Sequence, residues 1–295
     1  MQTLPKSVKI VEVGPRDGLQ SQSQVISSED KINYIDLLSE TGLQEIEVTS
    51  FVSPKWIPQL ADAAEVSRSI NRHPEIIYTA LVPNFQGLQN AIKCQFRSVA
   101  VFTAASESFS QKNTNCSIDD SMTRFQDMRK LWEENNLRVR GYISTVWHCP
   151  YEGPINIEPV IDVITKLFEL GINEISLGDT IGKANPNEIR HTLDTILNRW
   201  DPASFALHLH DTFGMAESNI IAGLEFGINT FDSSAGGIGG CPYAEGASGN
   251  IATEKVFSLC DSMGIETEIQ KDKLDEAAKF IRSILKKESL IHAED

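Results

Sequence analysis

A (β/α)8 TIM barrel with extra helices at its carboxyl end is the fold this chain predicts, on three observations. Eight apolar, β-rich runs alternate with amphipathic runs of helical period along the whole sequence. The eight pairs occupy roughly 250 residues, the size of such a barrel. Polar residues crowd where the apolar runs end, which in a barrel is the face that carries chemistry. A doubly wound open sheet is the competing arrangement, because alternation alone does not show closure.

The strands are expected over 8–13, 45–51, 76–82, 98–104, 138–146, 174–178, 205–210 and 229–234. The first, Val8-Lys9-Ile10-Val11-Glu12-Val13, alternates with period two until Gly14-Pro15 breaks it. Helices are expected over 28–41, 61–71, 85–94, 117–135, 157–170, 186–199, 215–226 and 251–264. Ser27, Ser117 and Asn185 stand where N-caps belong, and Pro186 follows at a first helical position. Gly42, Gly171, Gly227 and Gly264 stand where C-terminal caps belong. No composition break marks a linker, so residues 1–295 are expected to form a single catalytic domain. The barrel would run over about 8–265 and the helical extension over 267–288, clearest from Asp272 to Lys287.

Composition narrows the class of function. A chain of 295 residues, 41% hydrophobic and 23% charged, buries a large core and reads as a soluble globular protein. A net charge of −15 and a pI near 4.9 argue against nucleic acid or an anionic membrane as partner. No apolar run is long enough to span a bilayer, and the first strand follows Met1–Pro5 too closely for a leader peptide. The five cysteines (94, 116, 149, 241 and 260) are scattered and form no CxxC. That pattern is neither a disulfide framework nor a zinc knuckle, and it suits a reduced, cytoplasmic setting.

Candidate site residues follow strand by strand. Arg16 and Asp17 sit side by side in Gly-Pro-Arg-Asp-Gly-Leu-Gln, just past the first strand. A cation and a carboxylate there suit metal binding and stabilisation of negative charge, the plain alternative being a surface ion pair. Glu45 and Glu47 lie inside an apolar strand, where an unpartnered carboxylate is expensive, so Glu47 is expected to take Arg16 as its cation. His208 and His210, at i and i+2 in Ala-Leu-His-Leu-His-Asp, project from one side of a strand and can converge on one ion. Asp179, after Ser176-Leu177-Gly178, is read as a cap or a substrate contact. After the last strand comes Gly236–Asn250, with six glycines and a spacing that matches no nucleotide-binding loop, so it is read as a lid over the barrel mouth. Cys241 in that segment could exchange a proton or be a spectator, and Asn250 could cap a helix or offer a neutral oxygen. Asp17, His208, His210 and Asn250 together make a mixed O/N set suited to Mg²⁺ or Mn²⁺, though Zn²⁺, Co²⁺ and Fe²⁺ also fit.

Several of these runs resemble one family. Gly14–Gln20, Glu47–Trp56, Cys149–Gly153, Ser176–Gly182, His208–Gly214 and Gly239–Asn250 are similar to the 3-hydroxy-3-methylglutaryl-coenzyme A (HMG-CoA) lyases. These belong to a superfamily of metal-dependent TIM-barrel lyases and synthases. The Arg-Asp…Glu and His-x-His-Asp-Thr elements are common to that superfamily, while Gly-Gly-Cys-Pro-Tyr-Ala and Ser-Phe-Val-Ser-Pro-Lys-Trp are particular to the lyases. The resemblance implies a divalent metal on Asp17, His208, His210 and Asn250. It implies an acyl-CoA substrate cleaved to acetoacetate and acetyl-CoA, with His208 or Asp17 taking the hydroxyl proton. Arg16, steadied by Glu47, would neutralise the enolate oxygen, and Cys241 would help protonate the enolate carbon. Ser50, Ser176 and Asp179 match substrate-contact or supporting positions, and a homodimer is the family expectation. Trp147-His148 departs from the family pattern, so His148 is expected to reshape the pocket and to leave open a bulkier 3-hydroxyacylglutaryl-CoA substrate. A Claisen-condensing synthase of the same superfamily is the other reading. Lys55 and Lys112 are candidate partners for the CoA phosphates.

Overall fold

The computed structural model describes residues 4–22, 24–241 and 244–291, with backbone alone for 240, 241, 244–248 and 287–291. All eight expected strands form: β1 (Lys9–Glu12), β2 (Glu45–Ser50), β3 (Ile77–Leu81), β4 (Ser98–Ala104), β5 (Arg138–Ser144), β6 (Glu174–Asp179), β7 (Phe205–Leu209) and β8 (Thr230–Ser233). They pair in parallel in the order β1-β8-β7-β6-β5-β4-β3-β2 and close on themselves. Closure is carried by β1, which pairs Lys9 with Thr230 on one side and Val11 with Glu45 on the other. An open sheet is thereby excluded.

The helices are α1 (Ser28–Ser39), α2 (Ala63–Ser69), α3 (Phe85–Lys93), α4 (Glu107–Thr114), α5 (Ile118–Glu134), α6 (Ile157–Glu169), α7 (Pro186–Leu197), α8 (Ala216–Glu225), α9 (Thr253–Ser262) and α10 (Lys271–Ile291). Their ends carry the expected caps. Ser27 Oγ accepts from the Asp30 N–H, while Ser117 with Asp120 and Asn185 with Glu188 form reciprocal capping boxes. Losing such a cap typically costs ~1 kcal/mol. Gly42 ends α1 at φ +86°, and a Cβ there would collide with the Glu268 carbonyl.

Ile46, Val99, Val101, Ile143, Ile175, Leu177, Leu207 and Phe231 are fully or almost fully buried and belong to the main apolar core. Beyond the barrel, α10 adds Leu274, Ala277 and Ile281 to that core. The barrel interior is different in kind. Glu45 accepts from Lys9, Thr79 and Arg138, and Glu174 accepts from Lys9, Arg138 and Arg140. Ion pairs among strands, not aliphatic side chains, fill its amino-terminal end.

Several local structures were not anticipated. Gly14–Gly18 winds as a π-helical turn in which the N–H groups of Arg16, Asp17 and Gly18 all point to the Val13 carbonyl. The eight-residue α4 escaped because Glu-Ser-Phe-Ser-Gln-Lys-Asn-Thr buries only Phe109 among apolar residues, too little for a period. Two short hairpins also form, His148–Cys149 with Gly153–Pro154 and Gly240–Cys241 with Ala244–Ser248. Among the described residues no helix is long and apolar enough to cross a membrane.

Candidate active site

A cavity of about 760 Å³ opens at the carboxyl ends of the strands, and Arg16, Asp17, Ser50, Tyr142, His208 and His210 line it. Its position follows from topology, since every strand of a parallel barrel runs toward the same face. The π-helical turn brings Arg16 and Asp17 to the cavity lining. Glycine at position 14 relieves crowding there, because a Cβ would stand 2.5 Å from the Tyr34 hydroxyl and 2.6 Å from Glu12 Oε1, and those buried side chains would have to shift.

Asp17, His208 and His210 each turn one ligand atom to a common point, all within 4.8 Å of one another. His208 Nε2 lies 3.4 Å from His210 Nε2 and 3.9 Å from Asp17 Oδ2. Two ring nitrogens facing each other beside a carboxylate leave room for one shared proton or cation, so the donor set fits a divalent metal. Asn250 joins the cluster through a backbone bridge to His210, and its Nδ2 donates to Asp17 Oδ2 at 2.8 Å. The electrostatics favour ligation. Burial would raise the Asp17 carboxyl, but Arg16 and the two histidines outweigh it and hold it at about 2. Burial and then repulsion from His208 hold His210 at about 4, so its ring is neutral at pH 7.

The expected pairing of Arg16 with Glu47 is present. Arg16 Nε donates to Glu47 Oε2 at 2.9 Å, and Nη1 reaches Asp17 Oδ1 at 2.5 Å. Burial works against both charges of this pair, and the ionic contact with Glu47 restores the Arg16 cation. Ser50 Oγ lines the cavity without a hydrogen-bond partner among the described residues, and the second Glu47 oxygen, buried off the cavity lining, also lacks one. Such orphaned groups are what a polar ligand would satisfy.

Other expected site residues fall elsewhere. Ser176 and Asp179 are fully buried and lie outside the cavity lining, so neither is placed as a direct substrate contact. Ser176 donates to Asp232, and Asp179 accepts from the backbone N–H groups of Lys183 and Ala184, fixing the loop after β6. Burial raises the Asp179 carboxyl to about 6. His148 also lies off the cavity lining, with Nε2 3.0 Å from Glu188 Oε1. Lys112 lines the cavity and stacks on Tyr151, whereas Lys55 does not line it. The Cys241 side chain lies outside the described residues; its backbone pairs with Ala244 in the hairpin that follows Gly239.

Sequence reasoning missed Arg140, Tyr142 and Asp232. Arg140 donates to Asp232 and to the Tyr142 hydroxyl, which donates in turn to Glu47. The signal was Arg138-Val139-Arg140-Gly141-Tyr142, charges at i and i+2 of a strand that should be apolar on the helix side only.

Residues 7–281 match the family model described as HMGL-like. The chain belongs to the HMGL-like family. Among HMGL-like relatives, the mitochondrial hydroxymethylglutaryl-CoA lyase of Macaca fascicularis is 48% identical over 289 residues, covering 98% of this chain and 89% of that protein. The HMG-CoA lyase structure from Bacillus subtilis superposes with a TM-score of 0.95 at 48% identity, covering 96% of this chain and 95% of that one. A structure from Acinetobacter baumannii, described as an HMG-CoA lyase in complex with coenzyme A and 3-methylmalate, gives a TM-score of 0.91 at 35% identity, covering 97% and 93%. Such identity over nearly whole chains makes this a carbon–carbon lyase family member with the barrel intact.

Proposed function

We propose that the protein cleaves 3-hydroxy-3-methylglutaryl-CoA to acetoacetate and acetyl-CoA. The observation that carries this reading is the buried Arg16 guanidinium held against a cluster of Asp17, His208 and His210 at the floor of one cavity. Asp17, His208, His210 and the Asn250 amide, turned to present its oxygen, are the residues that would hold a divalent ion, Mg²⁺ or Mn²⁺. When bound, that ion supplies Lewis acidity that makes the substrate's tertiary hydroxyl easier to deprotonate.

The remaining work falls to side chains. Asp17 takes the hydroxyl proton, the C2–C3 bond breaks, and its electron pair moves onto the thioester as an enolate. Arg16 neutralises the enolate oxygen, a donor role commonly worth roughly 3–4 kcal/mol. Cys241 returns a proton to the enolate carbon, so that protons and charge balance over the cycle. Ser50 orients the acyl chain, while Ser176 and Asp179 support the wall from behind. The CoA portion leaves the cavity past Trp56 and Asn84, with Lys112 and Arg124 near its phosphates. With His148 off the cavity, nothing favours a bulkier acyl group over the methyl-bearing one. A cytoplasmic homodimer built from one catalytic domain per chain completes the reading.

The test is purified protein with HMG-CoA and Mg²⁺ or Mn²⁺, following acetoacetate, and again after chelation. Release that depends on metal and vanishes in Arg16→Gln is the expected result. A folded protein that releases nothing in any metal would overturn the assignment.

A further inference from the structure

His208 leans on a carboxylate that stands outside the metal cluster. Asp232, in β8, is almost fully buried, and both of its oxygens are engaged. Oδ1 accepts from Arg140 Nη2 at 2.6 Å; Oδ2 accepts from Ser176 Oγ at 2.8 Å and lies 3.2 Å from His208 Nδ1. Ion-paired to a guanidinium that is itself fully buried, Asp232 offers lone pairs only. A neutral imidazole beside it carries its proton on Nδ1 and leaves the Nε2 lone pair facing His210 and Asp17.

We propose that Asp232 is the positioning residue of the metal site, locking His208 in the one tautomer that can ligate a cation. It has this role only if the cluster holds a metal, as proposed above. Arg140 carries the same control further. Its Nε donates to Glu174 at 2.6 Å and its Nη1 to the Tyr142 hydroxyl at 2.8 Å, which donates to Glu47 at 3.2 Å. One buried guanidinium therefore steadies the histidine through Asp232 and the Arg16 partner through Tyr142.

The chemistry of an amide makes this testable. In Asp232→Asn the side-chain oxygen must face Arg140, because its nitrogen there would meet a donor. The amide N–H then faces His208 Nδ1, which favours the opposite tautomer, with the proton on Nε2 where the cation would sit. Mn²⁺ titrated into the full-length parent and into Asp232→Asn, with free Mn²⁺ read by electron paramagnetic resonance, separates the cases. The expected loss is about tenfold or more in affinity, as for other partners of ligating histidines. Ser176→Ala, which removes one hydrogen bond from the same carboxylate without turning the ring, should bind close to the parent. A folded Asp232→Asn that binds Mn²⁺ as the parent does overturns the inference and leaves the metal reading standing. A parent that binds no Mn²⁺ overturns both. Should Asp232→Asn not fold, nitrogen-15 spectra of the Mg²⁺-loaded parent decide, with the His208 signals identified by their loss in His208→Gln. A proton on Nδ1 is expected, and a proton on Nε2 would overturn the proposal.

Discussion

Arg16 and Glu47 meet through a single carboxylate oxygen: Glu47 Oε2 lies 2.9 Å from Arg16 Nε and 2.7 Å from Nη2. The arginine's third nitrogen reaches Asp17, and its guanidinium carbon stands 5.5 Å from the centre of the Tyr142 ring. Arg16 is thus held on three sides, with its charge delivered beside Asp17, His208 and His210. Removing one partner of such a buried pair typically costs 3–5 kcal/mol, roughly, because the survivor is left uncompensated.

Glu47→Ala should therefore impair turnover almost as severely as Arg16→Gln, by about two to three orders of magnitude in kcat. The double variant should be little worse than either single one, since both remove the same positioned charge. Steady-state rates on the three variants check this, and an active Glu47→Ala would refute the coupling.

His210→Ala should lose the metal. Its ring is held neutral at pH 7, ready to donate a lone pair, and without it the ion would keep one imidazole, beside Asp17 and the Asn250 amide. Elemental analysis of the purified variant after dialysis gives the answer, and bound metal at the parent's occupancy would sink the ligand assignment.

Cys241→Ala should lower kcat more than it raises KM, because the thiol is proposed to act after the substrate is bound. Initial rates over a range of substrate concentration distinguish the cases. A raised KM with kcat unchanged would assign Cys241 to binding.

Glu12 predicts a pH dependence of stability. Its buried carboxylate accepts from the N–H groups of Gly14 and Ala235 and from the Thr253 hydroxyl, yet burial outweighs these and raises the group to about 7. The folded chain keeps this proton up to about pH 7, whereas the unfolded chain releases it near 4.5. Stability should therefore fall as pH rises through that window, by about 3 kcal/mol at most, and change no further above it. Glu12→Gln, a neutral isostere, should flatten the slope of thermal unfolding midpoint against pH between 4.5 and 7. Parallel curves for parent and variant would show that another group is responsible.

Much of this was legible one segment at a time. Val8–Val13 announced a strand by its period, Ser117 and Asn185 announced helix starts, and His208 and His210 announced a shared face by their spacing. The small α4 carried too few apolar residues to register, and the turn at Gly14–Gly18 looked like any break after a strand.

By itself, the sequence determined the alternation of strands and helices, the capping of their ends and the residue types gathered at the barrel mouth, because each depends on neighbours a few positions away. Only the tertiary structure decided that the sheet closes, that Ser176 and Asp179 stand behind the cavity wall, that His148 turns to Glu188, and that Asp232 takes His208 and Arg140 together. Arg16 finds Glu47 across 31 residues and Arg140 finds Asp232 across 92. A buried charge must have a partner, but local pattern does not say which one; register and closure bring a particular pair within reach.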